Sequence, residues 1–247
     1  MEIYDAFCGL GPWAERDALT PYRTEDVLEL MGHFGIGRAL AYPNITAERG
    51  EERAANRTVA RECERHPELT PAFVPAIHPY DEQPAPGNYL ESMSEAGARA
   101  AWLWPQGAGF ASWLVGDLLG ACQRQRVPLF VHADRIDADG LHRLCGEFQE
   151  LRVVLAGAPY LADRWLYPLL RRHQNLHVCL GHYYVPAGGP MRFVRHFGAD
   201  RLLFGSGLPR FSPGGLIAHV AYAEIDETDR RKILCSNLER LLEEAEL

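Results

Sequence analysis

The chain has 247 residues, 47% hydrophobic and 23% charged, with a formal net charge of −8. That length suits one large α/β unit with a sizeable core. An acidic chain without a basic block excludes nucleic acid and anionic membrane surfaces as natural partners, and no run approaches the roughly 18 apolar residues of a membrane span. Met1-Glu-Ile-Tyr-Asp5 is not a signal peptide, so a cytoplasmic protein is expected. The six cysteines, Cys8, Cys63, Cys122, Cys145, Cys179 and Cys235, form no C-x-x-C pair and read as buried, reduced thiols.

Short apolar runs alternate with amphipathic helical stretches from end to end. A strand over 2–8 leads through Gly9-Leu-Gly-Pro-Trp13 to a helix over 24–34, with Thr24 as N-cap, Glu25 and Asp26 in its first turn, and Gly35 as its stop. Strands over 36–42 and 69–77 flank a helix over 48–65 that His66-Pro67 ends. A helix over 88–96 ends at Gly97 and is followed by a strand over 98–104 and a helix over 113–124. The fifth strand, 127–132, and helix 138–148 come next, then strand 151–156 and helix 161–172. Strand 176–180, a helix over 190–197 and strand 201–204 follow. Ser212-Pro213 reads as an N-cap with Pro at the first helical position, opening a helix over 214–223, and the segment 228–246 is helical.

Eight strands, each followed by a helix, predict an α/β fold with a parallel sheet. Eight exceeds the five or six strands usual in an open doubly wound sheet, so closure into a single (β/α)8 TIM barrel over residues 1–247 is expected. Such barrels carry their chemistry at the C-terminal ends of the strands. There, in Arg201-Leu-Leu-Phe-Gly-Ser-Gly-Leu-Pro209, Gly207 stands where a carboxylate would be sought.

Five segments in register, Asp5-Ala-Phe-Cys-Gly-Leu-Gly-Pro-Trp13, Pro128-Leu-Phe-Val-His132, Arg152-Val-Val-Leu-Ala-Gly157, Asp200 to Pro209 and Lys232-Ile-Leu-Cys-Ser-Asn237, resemble the amidohydrolase-related (amidohydrolase 2) family. The resemblance implies a TIM barrel of the metal-dependent hydrolase group, which includes decarboxylases and lactone hydrolases. It also implies a His-x-His pair after the first strand, a His after the fifth and the sixth, and an Asp after the eighth. Matched position by position, these become Phe7 and Gly9, His132, Gly157 and Gly207. A catalytic zinc needs about three protein ligands, so no metal and no other cofactor is expected, and the family's usual mechanism is not expected to run. Three glycines and one phenylalanine predict a roomier, more apolar mouth, filled either by loops or by a ligand.

His132 is the candidate general base, oriented by Asp134. Strand alternation puts His132 on the face of Phe130 and Pro128. Phe7, Trp13, Trp104, Tyr160, His182, Tyr183 and Arg210 are the candidate lining of a small-molecule site. His78 joins His132 and His182 as a donor for a relocated metal site. Arg135 and Arg210 could clamp a carboxylate or phosphate. Gly188-Gly189 and Gly214-Gly215 read as loop geometry, and alternation turns Cys8 away from the mouth. Three readings follow. The first is a non-catalytic or regulatory barrel that binds a small molecule or pairs with a second copy or an active relative. The second is a metal-independent hydrolase or lyase acting on a small carboxylate or lactone through His132. The third is a metal enzyme with a relocated site.

Overall fold

The computed structural model describes residues 1–13, 22–47, 52–76, 85–103, 112–186 and 188–247. The first half runs β1 (Tyr4–Leu10), α1 (Thr24–Phe34), β2 (Arg38–Pro43), α2 (Glu52–Arg65), β3 (Leu69–Phe73), α3 (Pro86–Glu95), β4 (Ala100–Leu103) and α4 (Gly116–Arg124). The second half runs β5 (Leu129–His132), α5 (Ala138–Glu147), β6 (Val153–Ala156), α6 (Asp163–Arg172), β7 (Leu176–Cys179), α7 (Gly189–Phe197), β8 (Leu202–Leu203) and α8 (Gly214–Ala221). A last helical stretch comprises α9 (Glu227–Arg231), a π-helical turn over Lys232–Ser236, and α10 (Asn237–Glu243).

Each strand pairs in parallel with the next, in sequence order from β1 to β8. Backbone bonds close the ring: Ala6 N–H to Phe204 O at 2.9 Å, Gly9 N–H to Leu208 O at 2.8 Å, and Gly207 N–H to Phe7 O at 2.9 Å. The fold is a single (β/α)8 TIM barrel. Among the described residues no helix is long and apolar enough to cross a membrane.

Strand alternation divides the core in two. Tyr42, Trp102, Phe130, Val154 and Leu203 fill the barrel, and Leu238, Leu241 and Leu242 of α10 close it from below. Outward-facing residues such as Val131, Val153 and Val178 pack under the helices with Val59, Leu119, Leu166 and Phe193. A bulge in β1 adds one residue between Asp5, paired with Ala39, and Cys8, paired with Ala41. Ala6 and Phe7 therefore both face the inner core, while Cys8 turns outward as its alternation required. All six cysteines are buried and free of disulfides, and burial pushes the Cys63, Cys122 and Cys145 thiols up to about 12.

The bottom of the barrel is tied by charge and amide contacts. Arg38 reaches Glu239 at 2.8 Å and Glu2 at 3.0 Å. Asn237 donates to Ala199 O at 2.7 Å and Leu202 O at 2.8 Å.

Some element ends differ from the sequence reading. Helix α1 ends where expected, with Gly35 in the left-handed region at φ 69°. Its N-cap is Arg23, however, and Thr24 is the first helical residue. Pro213, not Ser212, caps α8, without a side-chain bond. After the short strand β8, Phe204 faces two ways: its O accepts from Ala6 N–H in β1 and its N–H bonds Ile233 O at 2.9 Å in the C-terminal stretch.

Candidate functional site

The C-terminal ends of the strands carry an aromatic stack. Tyr42 and Trp102 lie 4.3 Å apart and nearly parallel, and Trp102 lies 5.1 Å from Phe130. Phe7 stacks on Trp102 at 5.2 Å with 26° between planes, and lies 5.8 Å from the His132 ring. The bulge turns Phe7 inward, and only 8% of it stays exposed.

The three glycines do not leave room beside Phe7. A Cβ on Gly9 would lie 1.8 Å from Asn44 Oδ1. One on Gly157 would lie 2.2 Å from His132 Nε2, and one on Gly207 would lie 2.8 Å from the Phe211 ring. Gly157 and Gly207 also sit at φ +65° and +72°, where side chains are strained. At these positions the filling is by side chains of the chain itself: Asn44, His132 and Phe211 take the space beside the glycines.

Asn44 is fully buried and donates to Gly11 O at 2.8 Å, which holds the amide under the loop after β1. His132 ends β5, and its Nδ1 accepts from Asp134 N–H at 3.3 Å. Desolvation pushes its imidazole down to about 4; the Asp134 carboxylate opposes this, and the charges of Arg135 and then Arg210 add to the downward shift. The ring is neutral near pH 7, so the 3.5 Å approach of Asp134 Oδ2 is not an ion pair there. With Nδ1 accepting, Nε2 carries the proton and points at Gly157.

A second layer lies above. The His182 ring stacks on Phe211 at 4.2 Å with 4° between planes, and Tyr183 meets Phe211 edge-on at 5.2 Å. The Arg210 guanidinium lies 5.5 Å from the Trp13 ring and 5.7 Å from Phe211. Trp13 packs on the inner core. The structure thus brings Phe7 and His132 together in the mouth, and His182, Tyr183 and Arg210 together around Phe211, with Trp13 against Arg210. Tyr160 is 74% exposed, and the Asp134 side chain is 77% exposed. His78 and Trp104 lie outside the described residues.

Sequence reasoning missed a buried pair beneath this layer. Asp5 Oδ1 accepts from Ser206 N–H at 2.7 Å and from Phe7 N–H at 2.9 Å, and the Ser206 hydroxyl bonds Oδ2. Ser206 Oγ in turn accepts from Leu208 N–H at 2.9 Å. The pair staples β1 to the end of β8. Burial pushes Asp5 up to about 6 although these donors pull it down. An acidic residue inside an apolar strand was the available signal.

Among the described residues no group of three or more His, Cys, Asp or Glu side chains converges as a metal site. The family model described as "Amidohydrolase" matches residues 14–243. No curated protein matches the chain. Among solved structures, an uncharacterised TIM-barrel protein from Bordetella bronchiseptica superposes with a TM-score of 0.75 at 19% identity, covering 99% of each chain. A dihydroxybenzoic acid decarboxylase from Polaromonas, bound to manganese and 2-nitroresorcinol, gives 0.76 at 14% identity over 98% of this chain and 97% of that one. A 2,6-dihydroxybenzoate decarboxylase from Rhizobium gives 0.72 at 15% identity over 98% of both. At these identities the likeness is one of fold.

Proposed function

The chain belongs to the amidohydrolase family, and we propose that it is a member without the family's metal centre, acting as a small-molecule-binding or regulatory barrel. The observation that carries this reading is the filling of the three glycine positions by Asn44, His132 and Phe211. A divalent ion in a catalytic site needs about three protein donors. Of the five matched positions only His132 offers one, and its Nε2 is turned into the space over Gly157. The residues at the mouth do not fit a metal.

The binding surface of this reading is the upper layer. Trp13, Phe211, His182 and the half-exposed Tyr183 offer ring faces and edges, and Arg210 offers a charge-assisted donor. That pairing suits a small aromatic or lactone carboxylate, the ring against the aromatics and the carboxylate on Arg210. The fold neighbours that act on 2,6-dihydroxybenzoate add weight to an aromatic acid. The alternative, a metal-free hydrolase or lyase with His132 as base, has less support. A group pushed down to about 4 is a weak base near neutral pH, where a catalytic base works best with a pKa near the operating pH. A second copy or an active relative is the proposed protein partner.

The test is a thermal-shift titration with 2,6-dihydroxybenzoate, with and without chelator, on wild type and Arg210→Gln. The reading expects a saturable shift that ignores chelator, weakens in Arg210→Gln and comes with no turnover. Chelator-resistant turnover abolished by His132→Ala would favour the alternative.

A further inference from the structure

The helix ring is open between α2 and α3. A groove of about 480 Å³ lies there, and its described lining shares no residue with the mouth. One wall is basic: Arg53, Arg57 and Arg61 follow each other at intervals of four along α2, spanning about 12 Å of helix. All three are exposed. Among the described residues none has an ion-pair partner. Like charges at this spacing destabilise a helix, and they stand out in a chain of net charge −8.

The groove is held open from both sides. Asn56 fixes α2 to the floor, donating to Val74 O at 2.8 Å and accepting from Val74 N–H at 2.9 Å. Tyr89 fixes α3, its hydroxyl donating to Phe73 O at 2.8 Å. The floor and lower walls are apolar, made by Phe73, Val74, Ala60 and Ala96. Opposite the arginines stand Asn88, Ser92 and a single carboxylate, Glu95.

We propose that this groove binds a small amphiphilic anion, with a carboxylate or phosphate head on the arginine wall and a short apolar tail on the floor. Three guanidiniums against one carboxylate select an anion and disfavour a cation. The volume lies within the roughly 300–1,000 Å³ of small-molecule sites, whereas a helix about 10–12 Å across would not enter it.

The experiment is calorimetric titration of the intact protein with octanoate and octyl phosphate, with octanol and octylamine as neutral and cationic controls. Saturable binding of one molecule of either anion is expected, and none of the controls. R57Q/R61Q should weaken it about tenfold or more, and Ala60→Trp, which fills the floor, should abolish it with the arginines intact. Arg210→Gln should leave it unchanged, which separates this site from the mouth. Circular dichroism checks the fold of each variant, and if Ala60→Trp does not fold, R57Q/R61Q decides alone. Absence of saturable anion binding to wild type, or wild-type binding by R57Q/R61Q, overturns the proposal.

Discussion

Replacing Gly157 by alanine should expose the interlock between β5 and β6. The residue sits at φ +65°, and its new Cβ would lie 2.2 Å from His132 Nε2. The left-handed backbone alone costs an alanine about 1–2 kcal/mol. Displacing a buried ring adds about 1–3 kcal/mol of overpacking, so the total expected loss is about 2–5 kcal/mol. The imidazole cannot swing freely, because Phe7 packs beside it and Asp134 N–H holds its Nδ1. Urea unfolding followed by circular dichroism reads the loss. In a His132→Ala background the steric part disappears and only the backbone part remains. The double-mutant cycle should therefore show a coupling of about 1–3 kcal/mol. An equal cost in both backgrounds would refute the claim that His132 fills the space over Gly157.

Three further outcomes are expected. Asp5 has a folded pKa raised to about 6, so its protonated form favours the folded state. Its stabilising contribution is full below about pH 4 and lost as pH rises through 6, a two-unit shift worth about 3 kcal/mol. Asp5→Asn should therefore be more stable than wild type above pH 6, and melting temperatures from pH 4 to 7 should show a flatter profile. His132 and His177 run the other way: burial pushes both down to about 4, so their contribution is present above about pH 6.5 and lost as pH falls through 4. His177→Gln should remove part of the acid destabilisation, and an unchanged acid limb would count against a buried neutral imidazole. Phe211→Ala strips the half-buried ring from over Gly207 and from under His182. A cost of about 1–2 kcal/mol, less than for a fully buried Phe, with faster amide exchange over residues 181–184, is expected.

The barrel was legible because each βα unit announces itself locally, through apolar runs, helix periodicity and stops such as Gly35. Element ends were less so. Thr24 looked like a cap, yet the chain turns into the helix one residue earlier, at Arg23. At the site, the strand ends pointed to Phe7, His132, His182 and Arg210, and the ring contacts join Phe7 to His132 and both His182 and Arg210 to Phe211. What fills the glycine positions was hidden, because it depends on contacts between distant segments. Asn44 meets Gly9 across the β1–β2 pair, and Phe211 folds back over Gly207 only once the following turn is built. The Asp5–Ser206 staple joins residues 201 positions apart, and no local pattern links them. A glycine at a strand end reads as empty space in one dimension, whereas in the folded chain a distant side chain fills it.

The proposal that the chain lacks the family's metal centre is tested most directly by the metal content of the protein, expressed with added manganese and zinc, dialysed without chelator and analysed by elemental analysis. A mouth filled by Asn44, His132 and Phe211 predicts metal well below one equivalent, unchanged in His132→Ala. Near one equivalent of manganese or zinc, lost in His132→Ala, would contradict it and return the protein to metal-dependent chemistry.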